Sequence, residues 1–217
     1  TAGLIGVLVY HLVYRKLRAR RASNLVLLVA ALGVFTVIQA IIAILFSSQF
    51  QTLSTGSSKV YEIFSSSTWL GAGGVMTQVQ VIILVIAVAI MFGLGLLLRY
   101  TLFGKAVKAV ADDEEVAKMV GIKTTKIIGW VFFIGSAIAG LAGILVGFDT
   151  GLEPTMGLAL LLKGVIAAIV GGIGNVYGGV LGAFLLGLVE NFGIWQISGE
   201  WKDAIAFALL IIFLLFR

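Results

Sequence analysis

The sequence predicts an all-α fold: a polytopic transmembrane helical bundle of about seven spans with one short amphipathic helix between two of them. Three observations carry that expectation. Hydrophobic residues make up 60% of the 217 positions and charged ones 12%, with a mean hydropathy of +1.15. That leaves too little polar surface to cover a soluble core. The apolar residues also gather into runs, several of which reach the roughly 20 residues that cross a bilayer. Finally, the basic residues sit between the runs, in segments that alternation places on one side.

In chain order, the apolar runs are 1–14, 25–46, 79–98, 127–148, 155–172, 177–195 and 203–216. The first begins at Thr1 without a recognisable signal peptide. It reads as the tail of a spanning helix, so a fragment lacking N-terminal spans is expected. The run at 155–172 is short and rich in glycine, consistent with a tilted span, a broken helix or a re-entrant segment. Between the first two runs lie Arg15, Lys16, Arg18, Arg20 and Arg21 without an acid. The segment 99–126 adds Arg99, Lys105, Lys108, Lys118, Lys123 and Lys126, and Arg217 closes the chain. If all seven runs cross, these segments share one face, which the positive-inside rule makes cytoplasmic. The other face keeps Lys59 and Lys202. On this reading 1–217 is one transmembrane domain, 47–78 an extracytoplasmic loop and 99–126 a cytoplasmic loop.

The cytoplasmic loop holds GKAVKAVADDEEVAKMVGI at 104–122. Asp112 and Glu115 have the spacing of a capping box, with Asp113, Glu114 and Glu115 in a first turn where they complement the helix dipole. Gly121 is placed to end the helix. Val116, Met119 and Val120 recur at i, i+3 and i+4, one small apolar face. A short amphipathic helix over 112–121 follows: either a solvated loop helix or a peg that fills a groove on a cytoplasmic partner.

Glycine punctuates the second half. Gly143/Gly147 and Gly178/Gly182 have the small-xxx-small spacing that lets membrane helices approach closely. Ionisable groups inside spans are rare and usually have a role. Here they are Lys163, near the middle of its run, and Glu190, toward the outer end of the next, with Asn191 beside it. A lysine long enough to snorkel can reach the carboxylate, giving an ion pair that orients two helices or a polar lining for a substrate path.

Several chemistries find no residues to perform them. Cysteine is absent and His11 is the single histidine, so disulfides, thiolate catalysis and His-ligated metals are not expected. GGIGNVYGG lacks the Lys-Ser/Thr of a phosphate-binding loop, and neither HExxH nor GxSxG occurs. No catalytic site, cofactor or metal is therefore expected. A formal charge of +5 could suit nucleic acid, but its placement between apolar runs suits membrane orientation instead.

Four segments together resemble a known family: GKAVKAVADDEEVAKMVGIKTTKII from 104, LEPTMG at 152–157, LKGVIAAIVGGIGNVYGGVLGAFLLGLVEN at 162–191 and SGEWKDAIAFALLIIFLLFR at 198–217. They look like the branched-chain amino-acid ABC importer permeases. Trp201-Lys202-Asp203 before the last run favours the LivH-type subunit. The resemblance implies a non-enzymatic permease of a bacterial or archaeal cytoplasmic membrane. It would work with cytoplasmic ATP-binding subunits, a second homologous permease subunit and an extracytoplasmic solute-binding protein, surrounded by membrane lipid and with no nucleic acid. The helix at 112–121 matches the family's coupling helix, so Asp112, Glu115, Ala117 and Gly121 would carry contact with the ATPase. Alternatives are a permease of the same superfamily for a sugar or urea, an ion-coupled carrier or channel using Lys163 and Glu190, and an assembly protein.

Overall fold

A computed structural model describes residues 1–20, 22–46, 60–62, 75–172, 174–196 and 199–216. Among them the structure is overwhelmingly helical. The first helical stretch is α1 (Ala2–Val9), a π-helical turn at Tyr10–Tyr14, and α2 (Arg15–Ala19). Then come α3 (Asn24–Phe46) and, after two short strands, α4 (Gln78–Tyr100). The strands β1 (Val60–Glu62) and β2 (Val75–Thr77) pair antiparallel, with Val60 opposite Thr77. All-α patterning gave no signal for that ribbon, and the rest of the expected outer loop falls outside the described residues. The helices that follow are α5 (Leu102–Asp112), α6 (Glu114–Met119), α7 (Thr124–Thr150), α8 (Met156–Gly171), α9 (Val176–Gln196) and α10 (Lys202–Phe216).

Among the described residues, four helical segments are long and apolar enough to cross a membrane: Leu25–Phe46, Gln78–Tyr100, Thr124–Thr150 and Val176–Gly193. The segment at 155–172 forms one unbroken helix, α8, whose 16 residues rise about 24 Å. The chain divides into two compact units: residues 1–88 with 96–154, and residues 89–95 with 155–217.

In the first unit α1 packs antiparallel on α7 along a seam of small residues. A Cβ added at Gly6 would collide with the Ser136 side chain, and one at Gly140 with Ala2. The backbones meet there because neither side carries bulk. The π turn swings Tyr10 toward α7, where it is 2% exposed, donates to the Thr125 carbonyl at 3.2 Å and packs its ring on Phe132. Helix α4 starts with a reciprocal capping box: Thr77 Oγ1 accepts from the Gln80 amide and Gln80 Oε1 from that of Thr77. Gln80 then reaches Asp149 near the end of α7, at 3.5 Å.

The second unit is built on α8 and α9. Gly171, Gly178 and Gly182 bring the two backbones so close that a Cβ at any of them would strike main-chain atoms of the facing helix. Below that contact Ile166, Leu186 and Ala206 form the core, joined by Val170, Leu209 and Leu210. Between the helices, Gly172 and Gly174 take φ of 92° and 95°, a left-handed turn that glycine alone enters cheaply. Asn175 then starts α9, its Oδ1 accepting from the Tyr177 amide at 3.1 Å. Thus Gly178 and Gly182 serve helix packing. Gly143, by contrast, has open space beside it, and Gly147 accommodates Leu152 in the following turn. G182V is expected to lower stability by about 1–3 kcal/mol or more, because its colliding atoms are the Ala167 carbonyl and the Gly171 backbone. The check is the unfolding midpoint in detergent, and an unchanged midpoint would contradict this packing.

Candidate functional site

The first candidate site lies where α5, α6 and the start of α7 meet α2, all in the first unit. Thr101 makes the entry. It is extended, at φ −93° and ψ 154°, and its hydroxyl donates to the Leu97 carbonyl at 2.5 Å while accepting from the Gly104 amide at 3.0 Å. One side chain therefore closes α4 and opens α5. Gly104 is buried, with Leu97 and Leu98 main-chain atoms where a Cβ would stand, so the chain can turn this tightly only without a side chain.

Between α5 and α6 the cap falls one residue later than the spacing suggested. Asp112 remains the last residue of α5. Asp113 takes φ −149° and ψ 114°, and its Oδ1 accepts from the amides of Glu115 at 2.8 Å and Val116 at 3.1 Å. The physical reason is that α5 stays helical through Asp112, so the extended backbone a cap needs first occurs at Asp113. The helix ends as expected: Gly121, at φ 85°, donates to Lys118 O at 3.0 Å, and Ile122 to Ala117 O at 3.0 Å. These two bonds are a Schellman closure.

Glu114 fixes the orientation of α6. Its carboxylate pairs with Arg18 from α2, with Lys118 one turn on at 2.8 Å, and with the hydroxyl of Thr124 at 3.4 Å. The Lys118 hydrogen bond holds the Glu114 carboxyl below its ordinary value, against partial burial, with the Arg18 charge also lowering it. Ala117 is 2% exposed and Thr124 is buried, so this side of α6 packs inward. Val116, Met119 and Val120 point away, at 54%, 81% and 71% exposure. Of the four residues assigned to a partner contact, Glu115 is exposed on α6 and Gly121 shapes its end. Asp112 is exposed at the end of α5, whereas the Ala117 methyl is enclosed and can act only by allowing α6 to sit close.

A depressed carboxylate stabilises the folded state above its ordinary pKa of 4.5, and that contribution is lost as pH falls through the folded value. Because these pairs are largely solvated, the effect is expected to be under about 1 kcal/mol. Melting wild type and E114Q across pH 3 to 6 isolates it: the wild type alone should lose this increment at acid pH, and identical curves would contradict it.

The second candidate site is a charge cluster in the second unit. Lys163 Nζ lies 3.3 Å and 3.4 Å from the two oxygens of Glu190 and 3.1 Å from Asp203 at the start of α10. Lys202 approaches Glu190 at 3.6 Å. Glu190 is 5% exposed, and its Oε1 faces the Lys163 ammonium without a hydrogen bond of its own. Two cations and two anions thus tie α8, α9 and α10 together. Asn191 does not join them: its amide donates to the Gly187 carbonyl of its own helix at 2.7 Å. Sequence reasoning had not brought Lys202 and Asp203 here, although both stand in the quoted Trp-Lys-Asp stretch. Among the described residues, no group of three or more His, Cys, Asp or Glu could hold a metal ion.

The model of the family described as branched-chain amino acid transport system / permease component matches residues 1–214. The high-affinity branched-chain amino acid transport system permease protein BraD of Pseudomonas aeruginosa is 33% identical over 213 residues, covering 98% of this chain and 68% of that protein. The corresponding LivH permease proteins are 32% identical in Salmonella typhimurium and 31% in Escherichia coli K12. Each match covers 90% of this chain and 63% of the relative. The chain spans about two thirds of the length of these curated relatives. No solved structure matches it.

Proposed function

The chain belongs to the branched-chain amino acid transport system permease family, and from that premise we propose that it is the membrane-spanning permease subunit of an ATP-driven importer. Its cargo is branched-chain or other small amino acids. It crosses a bacterial or archaeal cytoplasmic membrane about seven times as one permease domain, with the 47–78 loop outside and the 99–126 loop in the cytoplasm. Its partners are two ATP-binding subunits, a second permease of the same family and an extracytoplasmic solute-binding protein. Hydrolysis takes place in the ATP-binding subunits, and this chain contributes movement.

The observation that carries the reading is the build of α6. It is anchored on one side by Glu114, Ala117 and Thr124 and bare on the other at Val116, Met119 and Val120. A loop helix that merely faced water would have no reason to present an apolar face there. A helix that seats in a groove of an ATP-binding subunit would, with Glu115 beside that face and Gly121 fixing its end. Closure of the ATP-binding subunits then shifts α6, and its tie through Glu114 to Arg18 and Thr124 passes the shift to α2 and α7. The membrane helices thereby exchange outward- and inward-open states, the populations following nucleotide state.

The Lys163–Glu190 cluster supports a helix-pairing role over a path lining, because each charge faces an opposite charge within 3.6 Å. The reading is tested by leucine uptake into proteoliposomes containing the chain and its partner subunits. Uptake should require ATP on the side of the ATP-binding subunits. Uptake that follows a proton gradient, or survives inactivation of the ATPases, would overturn it in favour of an ion-coupled carrier.

A further inference from the structure

We propose that the groove between α1 and α7 in the first unit is a binding site for one anionic phospholipid of the surrounding membrane. The groove encloses about 890 Å³. One end is apolar, lined by Leu4, Val7, Trp130 and Phe133, and the other carries Arg15, Lys123 and Lys126. Lys118 and His11 also line it, and no carboxylate does.

Charge selects the occupant. Lys118 is already engaged by Glu114 at 2.8 Å, but Arg15, Lys123 and Lys126 have no carboxylate partner among the described residues. Three like charges around one opening repel, and at a membrane boundary the counter-charge at hand is the phosphate of an anionic lipid. The apolar end supplies the other half of the match. It continues along the uncovered flanks of α1 and α7, where Leu4 and Trp130 are exposed, so an acyl chain can lie from the basic mouth along the seam. Trp130, two turns or fewer from Lys123 and Lys126, has the placement at which indole rings favour the headgroup boundary. A soluble anion would satisfy the basic mouth and leave the apolar trough unused, and a neutral lipid would do the reverse. An anionic phospholipid satisfies both. The bound phosphate would rest against Lys123 and Lys126, where the linker from α6 enters α7, steadying α6.

The test is native mass spectrometry of the full chain in detergent, titrated with dioleoyl phosphatidylglycerol, dioleoyl phosphatidylcholine or glycerol 3-phosphate. It is paired with quenching of Trp130 by brominated-chain phosphatidylglycerol after the other tryptophans are replaced by phenylalanine. Phosphatidylglycerol should bind one to one and quench, with phosphatidylcholine much weaker and glycerol 3-phosphate undetectable. R15Q/K123Q/K126Q should weaken phosphatidylglycerol binding by roughly fivefold per charge removed. V7F, which fills the trough without adding an indole and leaves every charge in place, should abolish quenching. Equal binding of the two lipids, retention by glycerol 3-phosphate alone, or either variant behaving as wild type would overturn the proposal. So would a groove that takes no lipid because a partner chain fills it.

Discussion

M119D/V120D is expected to strip the ATP-binding subunits from the purified protein and to reduce ATP-driven uptake by about a hundredfold or more, while leaving the chain folded in the membrane. Both side chains stand in the open on α6, at 81% and 71% exposure. Burying two such side chains in a partner's groove is worth about 3–6 kcal/mol, and every 1.4 kcal/mol is a factor of ten in affinity. Aspartate removes that gain and adds two charges to a segment that already holds Asp112, Asp113, Glu114 and Glu115. Because neither side chain supports the chain's own core, the cost to folding should stay within about 2 kcal/mol, most of it from two anions at the C-terminal end of α6. A117L, at a position 2% exposed, should by contrast disturb α6 itself and lower both stability and coupling. Co-purification and detergent melting, measured on the same preparations, distinguish the cases. Retention of the ATP-binding subunits by M119D/V120D would sink the docking role of this face.

K163M should be the most damaging single change among the charges of the second unit. It leaves Glu190, 5% exposed, with Lys202 at 3.6 Å as its remaining cation, and it leaves Asp203 without its partner at 3.1 Å. Breaking a buried pair from one side costs on the order of 3 kcal/mol, most of it from the charge left behind. E190Q should cost less, because Lys163 keeps Asp203. The double variant K163M/E190M removes both charges with side chains of similar length and should recover much of the loss. Unfolding midpoints give the coupling energy and uptake gives the role. If stability and uptake return together, the cluster is a clamp on α8, α9 and α10. If stability returns and uptake does not, the charges line the path. Single variants that leave both unchanged would dispose of both roles.

The helical runs were legible because apolar length is a one-dimensional property that bilayer thickness makes decisive. The ends of α6 were legible to within a residue. Gly121 announced the closure, but ADDEE offers two adjacent acids able to cap, and α5 continuing through Asp112 decided for Asp113. The approach of Lys163 to Glu190 could be read from depth in consecutive helices. Lys202 and Asp203 could not, because they stand outside a run, and only the folding of α10 back onto α8 and α9 brings their long or flexible ends to the cluster. Glycine spacing was the most ambiguous signal. Gly178 and Gly182 do face a helix, whereas Gly143 and Gly147 share their spacing and meet no facing helix among the described residues. The true small-residue seam of α7 uses Ser136 and Gly140 against Gly6 and Ala2, residues far apart in the chain whose fit no local period reports. Tyr10, turned inward by a π segment, was equally hidden, since a π turn changes which face a side chain joins without changing composition.

The chain has no cysteine, so M119C introduces a unique thiol on the exposed face of α6. With the assembled transporter in membranes, a short bifunctional crosslinker from that thiol should join the chain to an ATP-binding subunit, with a yield that changes between nucleotide-free and ATP-bound states. S136C, half-buried in the α1–α7 seam against Gly6, should give no such product. A thiol at position 119 that labels freely from water in every nucleotide state and never joins an ATP-binding subunit would contradict the coupling role of α6.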